Sequence, residues 1–425
     1  LETTITFEYG LTTAYGQSVN ATPLSATGSE NTAATALLSG LSEGGTTYHY
    51  RIVAVNSAGT TYGEDMTFST SADAAWTAIS TTNAPNRDEV SSTLGDGYLM
   101  IFGGLELGVP KNDSYRYHLS SDTWYTNSST NAPNLFDSEA FWTGTQALVF
   151  KSSSDCGLYD PNTDTWSSIS TTGAPSDGYD MHKVWTGTEL IVFSAHSNWN
   201  SQSARYNPDT DTWTPINLVG SPSLNNIFNV SVAWIGDKML VWGGYTSETD
   251  FNTWEDIITH LSDGYLYDPA TDSWTTISNI NAPSGRYNAV ITWTGTEAIV
   301  WGGETEDRSS RETRNPNSGA RYNPSTDTWT TMTSSPSFFV MLLHSTVWTG
   351  QEVIYWGGRY YENDEWTYVN DGAAYNPQSD TWSMLSASGA PPERNDHEGH
   401  WTGTHMLIWG GGNSISLNTG YLYKP

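Results

Sequence analysis

The chain has 425 residues, more than one ordinary domain needs and enough for a large repeat domain plus a small module. Lys and Arg total 16 against 46 Asp and Glu, a formal net charge of −30, so double-stranded nucleic acid and anionic lipid are repelled, while cations, neutral glycans and basic proteins suit. With 20 Trp, 24 Tyr and a single cysteine, Cys156, the core is aromatic and owes nothing to an internal disulfide; no apolar run reaches the ~20 residues of a membrane-spanning helix.

In residues 1–70, Phe7-Glu8-Tyr9-Gly10 predicts a central strand, and Thr46 through Gly59 alternates as a half-buried strand that ends in a turn. Leu41 with Tyr48-x-Tyr50-Arg51 resembles the later half of a fibronectin type III domain, including its tyrosine corner. The resemblance implies a small, partial β-sandwich whose first two strands are missing ahead of Leu1. Two expectations follow: the module is a piece of a longer chain, or a neighbouring subunit donates the strands and self-assembly results.

Residues 71–425 are built from one recurring unit. An Asp-x-Trp element marks it at Asp122/Trp124, Asp164/Trp166, Asp211/Trp213, Asp272/Trp274, Asp327/Trp329 and Asp380/Trp382, at intervals of 42, 47, 61, 55 and 53 residues. Short apolar runs such as Leu190–Phe193, Ile299–Trp301 and Met406–Trp409 read as buried strands. Trp-Thr-Gly before them predicts a hairpin, and paired glycines after them (Gly243/Gly244, Gly302/Gly303, Gly357/Gly358, Gly410/Gly411) allow close backbone approach. Lys151-Ser152 and Ser194-Ala195 replace that pair in the second and third units, which are expected to turn differently there. Asn/Asp-Pro-x-Thr-Asp predicts the turn before the Trp.

Gly-Gly, Tyr-x-Pro and Trp in fixed order resemble the kelch repeat, in the type that forms the central domain of galactose oxidase. The resemblance implies an all-β fold: a seven-bladed β-propeller, each blade of four antiparallel strands a to d. The last unit ends without a strand d, and Trp76 supplies a spare one, so the N-terminal strand is expected to close the final blade.

Function is expected in the long, varied b–c loops rather than in the short a–b and c–d turns. Trp254, Tyr360, Tyr361, Trp366 and Tyr368 there, beside carboxylates, suit stacking on sugar faces, and Arg394 and His397 join them as candidate ligand contacts. Five residues before the turn Trp stand Asp137, Asp180, Asn229, Asn288 and Asp396, with Glu89 at the equivalent place in the first unit; this register predicts a ring of oxygen donors, a candidate calcium site, with Arg87, Arg286 and Arg394 two residues earlier as alternative counter-charges. No cofactor is otherwise expected.

Enzyme chemistry stays open. The likeness to galactose oxidase implies a test for radical copper, for which Cys156 and several His supply ligand types without that family's arrangement. A polysaccharide lyase would use His397, His400 and Arg394, helped by His344 and His182, although the acidic balance opposes an anionic polymer. The expectation is a noncatalytic extracellular or cell-surface protein of bacterial or archaeal type, for adhesion, glycan capture or surface assembly, with a surface glycan or protein as partner. The alternative is a carbohydrate-active propeller enzyme.

Overall fold

The computed structural model describes residues 1–28, 32–38, 41–42, 46–70, 76–176, 178, 181–195, 202–222, 227–250, 255–307, 312–314, 317–336, 344–362 and 365–425. They are β-strands and turns, without an α-helix among the described residues. The chain divides into two compact units, Leu1–Ala75 and Trp76–Pro425.

The first unit is an antiparallel sheet of β1 (Thr3–Gly10), β2 (Gln17–Ala26), β3 (Thr47–Asn56), β4 (Gly59–Tyr62) and β5 (Met66–Ser69), ordered β2-β1-β3, with β4 and β5 sharing the far edge of β3. Alternation puts Phe7 and Tyr9 of β1 and Tyr50 of β3 on one face, where with Phe68 and Leu38 they line a groove of 440 Å³. Tyr48 is buried and its Oη accepts the Ser42 N–H at 2.8 Å. Where a sandwich was expected, the described residues form one sheet.

Among the described residues the second unit contains seven four-stranded antiparallel sheets. Sheet one spans 91–126, sheet two 139–167, sheet three 181–215, sheet four 231–276, sheet five 290–331 and sheet six 345–384. Sheet seven joins Glu398–Trp401, Met406–Trp409 and Gly420–Tyr423 to Trp76–Ala78, whose Trp76 lies opposite Tyr423. This is the pairing that Trp76 predicts. The second strand of each sheet is the apolar run, fully buried in sheets three and five alike (Leu190–Phe193, Ala298–Trp301).

Sheet-to-sheet contact follows one pattern. The indole N–H of Trp124, Trp166, Trp213, Trp274, Trp329, Trp382 and Trp76 donates to the carbonyl of Ser80, Ser128, Ser170, Asn217, Ser278, Thr333 and Ser386 respectively, at 2.7–3.0 Å. Each acceptor follows the outer strand of the preceding sheet, sheet one reaching back to sheet seven. The same rings pack on Trp409, Phe102, Phe150, Phe193, Trp242, Trp301 and Trp356, with centroids 5.0–6.0 Å apart. The aspartate two residues before the Trp adopts positive φ, 51° at Asp122 and 50° at Asp211, which Asp tolerates better than most residues. Its Oδ1 accepts the N–H of the residue whose carbonyl the Trp takes, 2.6 Å at Ser80 and 2.9 Å at Ser278. That oxygen also accepts the hydroxyl of a buried tyrosine, 2.7 Å from Tyr117 and 3.0 Å from Tyr322. Burial first, then the aspartate, hold these phenols above the ordinary tyrosine range.

The missing glycine pairs act as expected. In sheet two the buried strand runs on to Ser152 with a bulge after Phe150, and a tight hairpin returns at Asp155. In sheet three it runs on to Ser194.

Trp329→Ala is expected to cost about 3–5 kcal/mol. Trp329→Phe keeps a ring but loses the Ser278 bond, and should cost less. Equilibrium unfolding in urea measures both; a loss no larger than that of an exposed substitution would remove the clamp from its structural role.

Candidate functional site

The meander of each sheet puts the short turns at one end of the strands and the varied connections at the other. At that second end lies the predicted ring of oxygen donors. Glu89, Asp137, Asn229, Asn288 and Asp396 all have positive φ, between 49° and 61°; Asp180 lies outside the described residues. Asn and Asp are the side chains that enter this region most readily, so the register has a backbone reason of its own. Asn288 Nδ2 donates to Glu304 at 3.0 Å, Asp137 lies 3.5 Å from Lys151, and Asp396 accepts from Asn395 Nδ2 at 2.6 Å. Among the described residues no three His, Cys, Asp or Glu are gathered so as to hold a metal ion.

The three arginines two residues earlier do not face that register. Arg394 is fully buried and donates to the carbonyls of Pro392, Gly410 and Thr419 and to Thr419 Oγ1. Burial lowers its pKa to about 10. Arg286 repeats this arrangement on Gly302 and Ser318, and Arg87 forks onto Asp113 at 2.8 and 2.9 Å. His397 is buried too. Its Nε2 lies 2.8 Å from Ser345 Oγ, its ring stands edge-on to Trp356, and burial, then Arg394 and His344, lower its pKa to about 3. Arg394 and His397, expected among ligand contacts, are therefore placed inside the scaffold. For the arginine, recurrence at one register was the available signal, since Arg286 and Arg394 do the same work in two sheets; His397 has no such counterpart in the sequence.

Of the predicted aromatics, Trp254 lies outside the described residues, as does the side chain of Tyr361. Tyr360, Trp366 and Tyr368 sit on the hairpin Arg359–Glu362/Glu365–Tyr368 that leaves sheet six. Trp366 is 43% exposed, and the Arg359 guanidinium lies over its ring at 4.3 Å. Arg359 also acts on Asp396, whose pKa burial raises to about 6; Arg359 opposes the rise, and Glu89 and Asp88 add to it. A partly exposed indole and its stacked guanidinium thus stand on this hairpin, and the guanidinium acts electrostatically on a carboxylate at the entry to sheet seven.

A second group lies on the first strands of sheets one and seven. Ser92 Oγ is 2.6 Å from both Glu398 Oε2 and His400 Nε2. The hydroxyl donates to the carboxylate and accepts the imidazole N–H. Burial pushes Glu398 up to about 7, with Ser92 opposing and Glu139 adding, and lowers His400 to about 4. Glu139 is itself held by Lys183 at 2.7 Å. The sequence names His400 but not Ser92 or Glu398, because 306 residues separate these two. Cys156 is half-buried, its thiol pushed up to about 11 chiefly by burial, the opposite of an activated thiolate.

Residues 229–425 match the family model described as the KLHDC2/KLHL20/DRC7 Kelch-repeats domain, which supports a kelch-repeat family for this region. A comparison with curated proteins finds no match to the chain.

Two predictions follow. Glu398 has a raised pKa in the fold, so its contribution is complete below its unfolded value, near 4.3, and is lost as pH rises through about 7. Glu398→Gln imitates the protonated acid. Its melting temperature should match wild type near pH 4.5 and exceed it at pH 8; equal curves at both would contradict the assignment. For the oxygen register, calcium or EDTA should leave the melting temperature unchanged, and Asn288→Gly should be tolerated while Asn288→Val costs about 1–2 kcal/mol. A calcium-dependent rise would restore the metal ring.

Proposed function

We propose that the seven sheets close into a seven-bladed kelch propeller, latched by the strand at Trp76, and that residues 1–70 are a partial fibronectin type III-like module. The cycle of indole–carbonyl bonds supports the first statement. The order β2-β1-β3 and the Tyr48–Ser42 bond support the second. The protein is then a noncatalytic binding or structural protein, extracellular or at the cell surface of a bacterium or archaeon, serving adhesion, glycan capture or assembly. Its partner is a neutral glycan or a surface protein.

The observation that carries this reading is the exposed Trp366 stacked on Arg359 beside Asp396, on a hairpin that the sheets do not need for closure. An indole face with charged hydrogen-bonding groups at its rim suits a sugar ring. The acidic balance supports a neutral one.

A carbohydrate-active enzyme is the second reading, favoured by the Ser92–Glu398–His400 group, which couples an imidazole to a carboxyl of nearly neutral pKa. As a lyase it lacks support from Arg394, whose guanidinium is spent on carbonyls and cannot neutralise a uronate.

Calorimetric titration with neutral oligosaccharides should show binding that Trp366→Ala weakens about tenfold, the worth of one stacked ring. Release of unsaturated, ultraviolet-absorbing sugars from a polyuronate, abolished by His400→Ala, would overturn the noncatalytic reading.

A further inference from the structure

One backbone device recurs where the chain enters a sheet. The residue before the positive-φ position pairs with the residue after the paired glycines: Asp88 with Leu105, Phe228 with Tyr245, Tyr287 with Glu304, and Asn395 with Gly412. The glycines make this possible. A Cβ on Gly244 would lie 2.6 Å from the Phe228 carbonyl, and one on Gly303 would lie 2.7 Å from that of Tyr287. The bridge is constant, but the side chains on it are not. Sheets one and seven carry Asp, Leu, Asn and Gly there, so closure of the bridge does not call for aromatic rings. Sheets four and five carry them nonetheless.

Those rings meet. Phe228 stacks on Tyr245 at 5.4 Å and 23°, and His260, from the far arm of the hairpin Tyr245–Asp250/Glu255–His260, stacks on Tyr287 at 5.7 Å and 14°. Tyr245 meets Tyr287 edge-to-face at 5.4 Å. All four are half-buried, so each keeps some surface for solvent. At the rim Glu304 accepts from Tyr287 Oη at 3.3 Å and from Asn288 Nδ2 at 3.0 Å, and Asn288 is exposed. These contacts hold the carboxylate in place and, among the described residues, leave acceptor lone pairs unused.

We propose that this cluster is a second sugar subsite, distinct from the Trp366 hairpin, that takes a neutral pyranose. The ring's C–H face lies on the aromatic surface of Tyr245, Tyr287 and His260, and its hydroxyls donate to Glu304. The inference rests on the reading of the loop end as a glycan-binding surface and names where on it a sugar sits. A carboxylate and a carboxamide offer mainly acceptors, which select hydroxyls over anionic groups. Rigid rings on a rigid bridge lose little freedom on binding.

The test titrates cellohexaose, maltohexaose, xylohexaose and mannohexaose, followed by saturation-transfer NMR and calorimetry, into wild type, Glu304→Gln, Tyr287→Phe, Tyr245→Ala and Trp366→Ala. Glu304→Gln should weaken binding of at least one hexaose about tenfold or more, because it removes a hydrogen bond to a charged group. Tyr287→Phe, which frees Glu304 and keeps the ring, should weaken it less. Both are conservative, and an unchanged melting temperature checks their fold even where Tyr245→Ala does not survive. Saturation transfer from aromatic protons that persists in Trp366→Ala and disappears in Glu304→Gln supports the subsite. Hexaose binding lost only in Trp366→Ala overturns the subsite and leaves the wider reading intact. No hexaose bound by wild type overturns both.

Discussion

The indole N–H of the tryptophan on the outer strand of each four-stranded sheet donates to a backbone carbonyl of the neighbouring sheet, whereas the rings of Trp242, Trp301 and Trp409 that pack on three of them are buried with no partner for their own N–H among the described residues. The bond fixes the offset between neighbours. The aspartate two residues earlier fixes it again by taking the N–H of the same residue, at the cost of a left-handed backbone. The backbone donor and acceptor of one residue are thereby both satisfied across the boundary. At Trp76 the residue two places earlier in the sequence is Ala74, and among the described residues this joint consists of the indole bond to Ser386, 310 residues away in sequence, with the packing of the ring on Trp356.

A boundary made this way leaves the rest of each repeat free. Arg286 and Arg394 tie their entry loops down from inside by donating to carbonyls, so these loops keep their course without any contribution from the side chains they display. That accounts for the variety along one backbone path: carboxylate and amide at Asp88 and Asn395, rings at Phe228 and Tyr287. A scaffold that spends its polar groups on itself can vary its outer residues at little cost in stability.

The repeat was legible in the sequence because its signal is periodic and local: Asp-x-Trp, the four-residue apolar run and the glycine pair each sit within a few residues of one another. Trp76 was legible for the same reason, as one copy too many at one end and one too few at the other. The oxygen-donor register was legible as residue types but not as a role, because Asn and Asp supply two properties at once, hard oxygens and tolerance of positive φ, and a sequence does not say which is in use. The burial of Arg394 and His397 was not legible, because burial is tertiary. Ser92, Glu398 and His400 escaped notice as a group because their proximity depends on the first and last sheets lying side by side.

That last group bears on how far the repeat has diverged. The first strands of sheets four to six carry Ser231-Val232-Ala233, Val290-Ile291-Thr292 and Ser345-Thr346-Val347, small or apolar side chains throughout. The same places carry Glu398, Gly399 and His400 in sheet seven, Ser92 in sheet one, Glu139 in sheet two and His182 and Lys183 in sheet three. The fold tolerates apolar residues here, so it does not require the polar ones, and drawing polar groups part of the way out of water is costly unless they are paired. They are paired: Glu398 and His400 through Ser92, Glu139 through Lys183. Pairing lowers the cost without giving a reason for it, since an apolar replacement of similar size would pack at least as well. The polarity of these first strands in sheets one, two, three and seven therefore answers to something other than the packing of the sheets, and its residues are not those of the aromatic clusters on the loops. Two neighbourhoods of different chemistry, one acid–base and one aromatic, stand on a scaffold whose own requirements are met by its tryptophans.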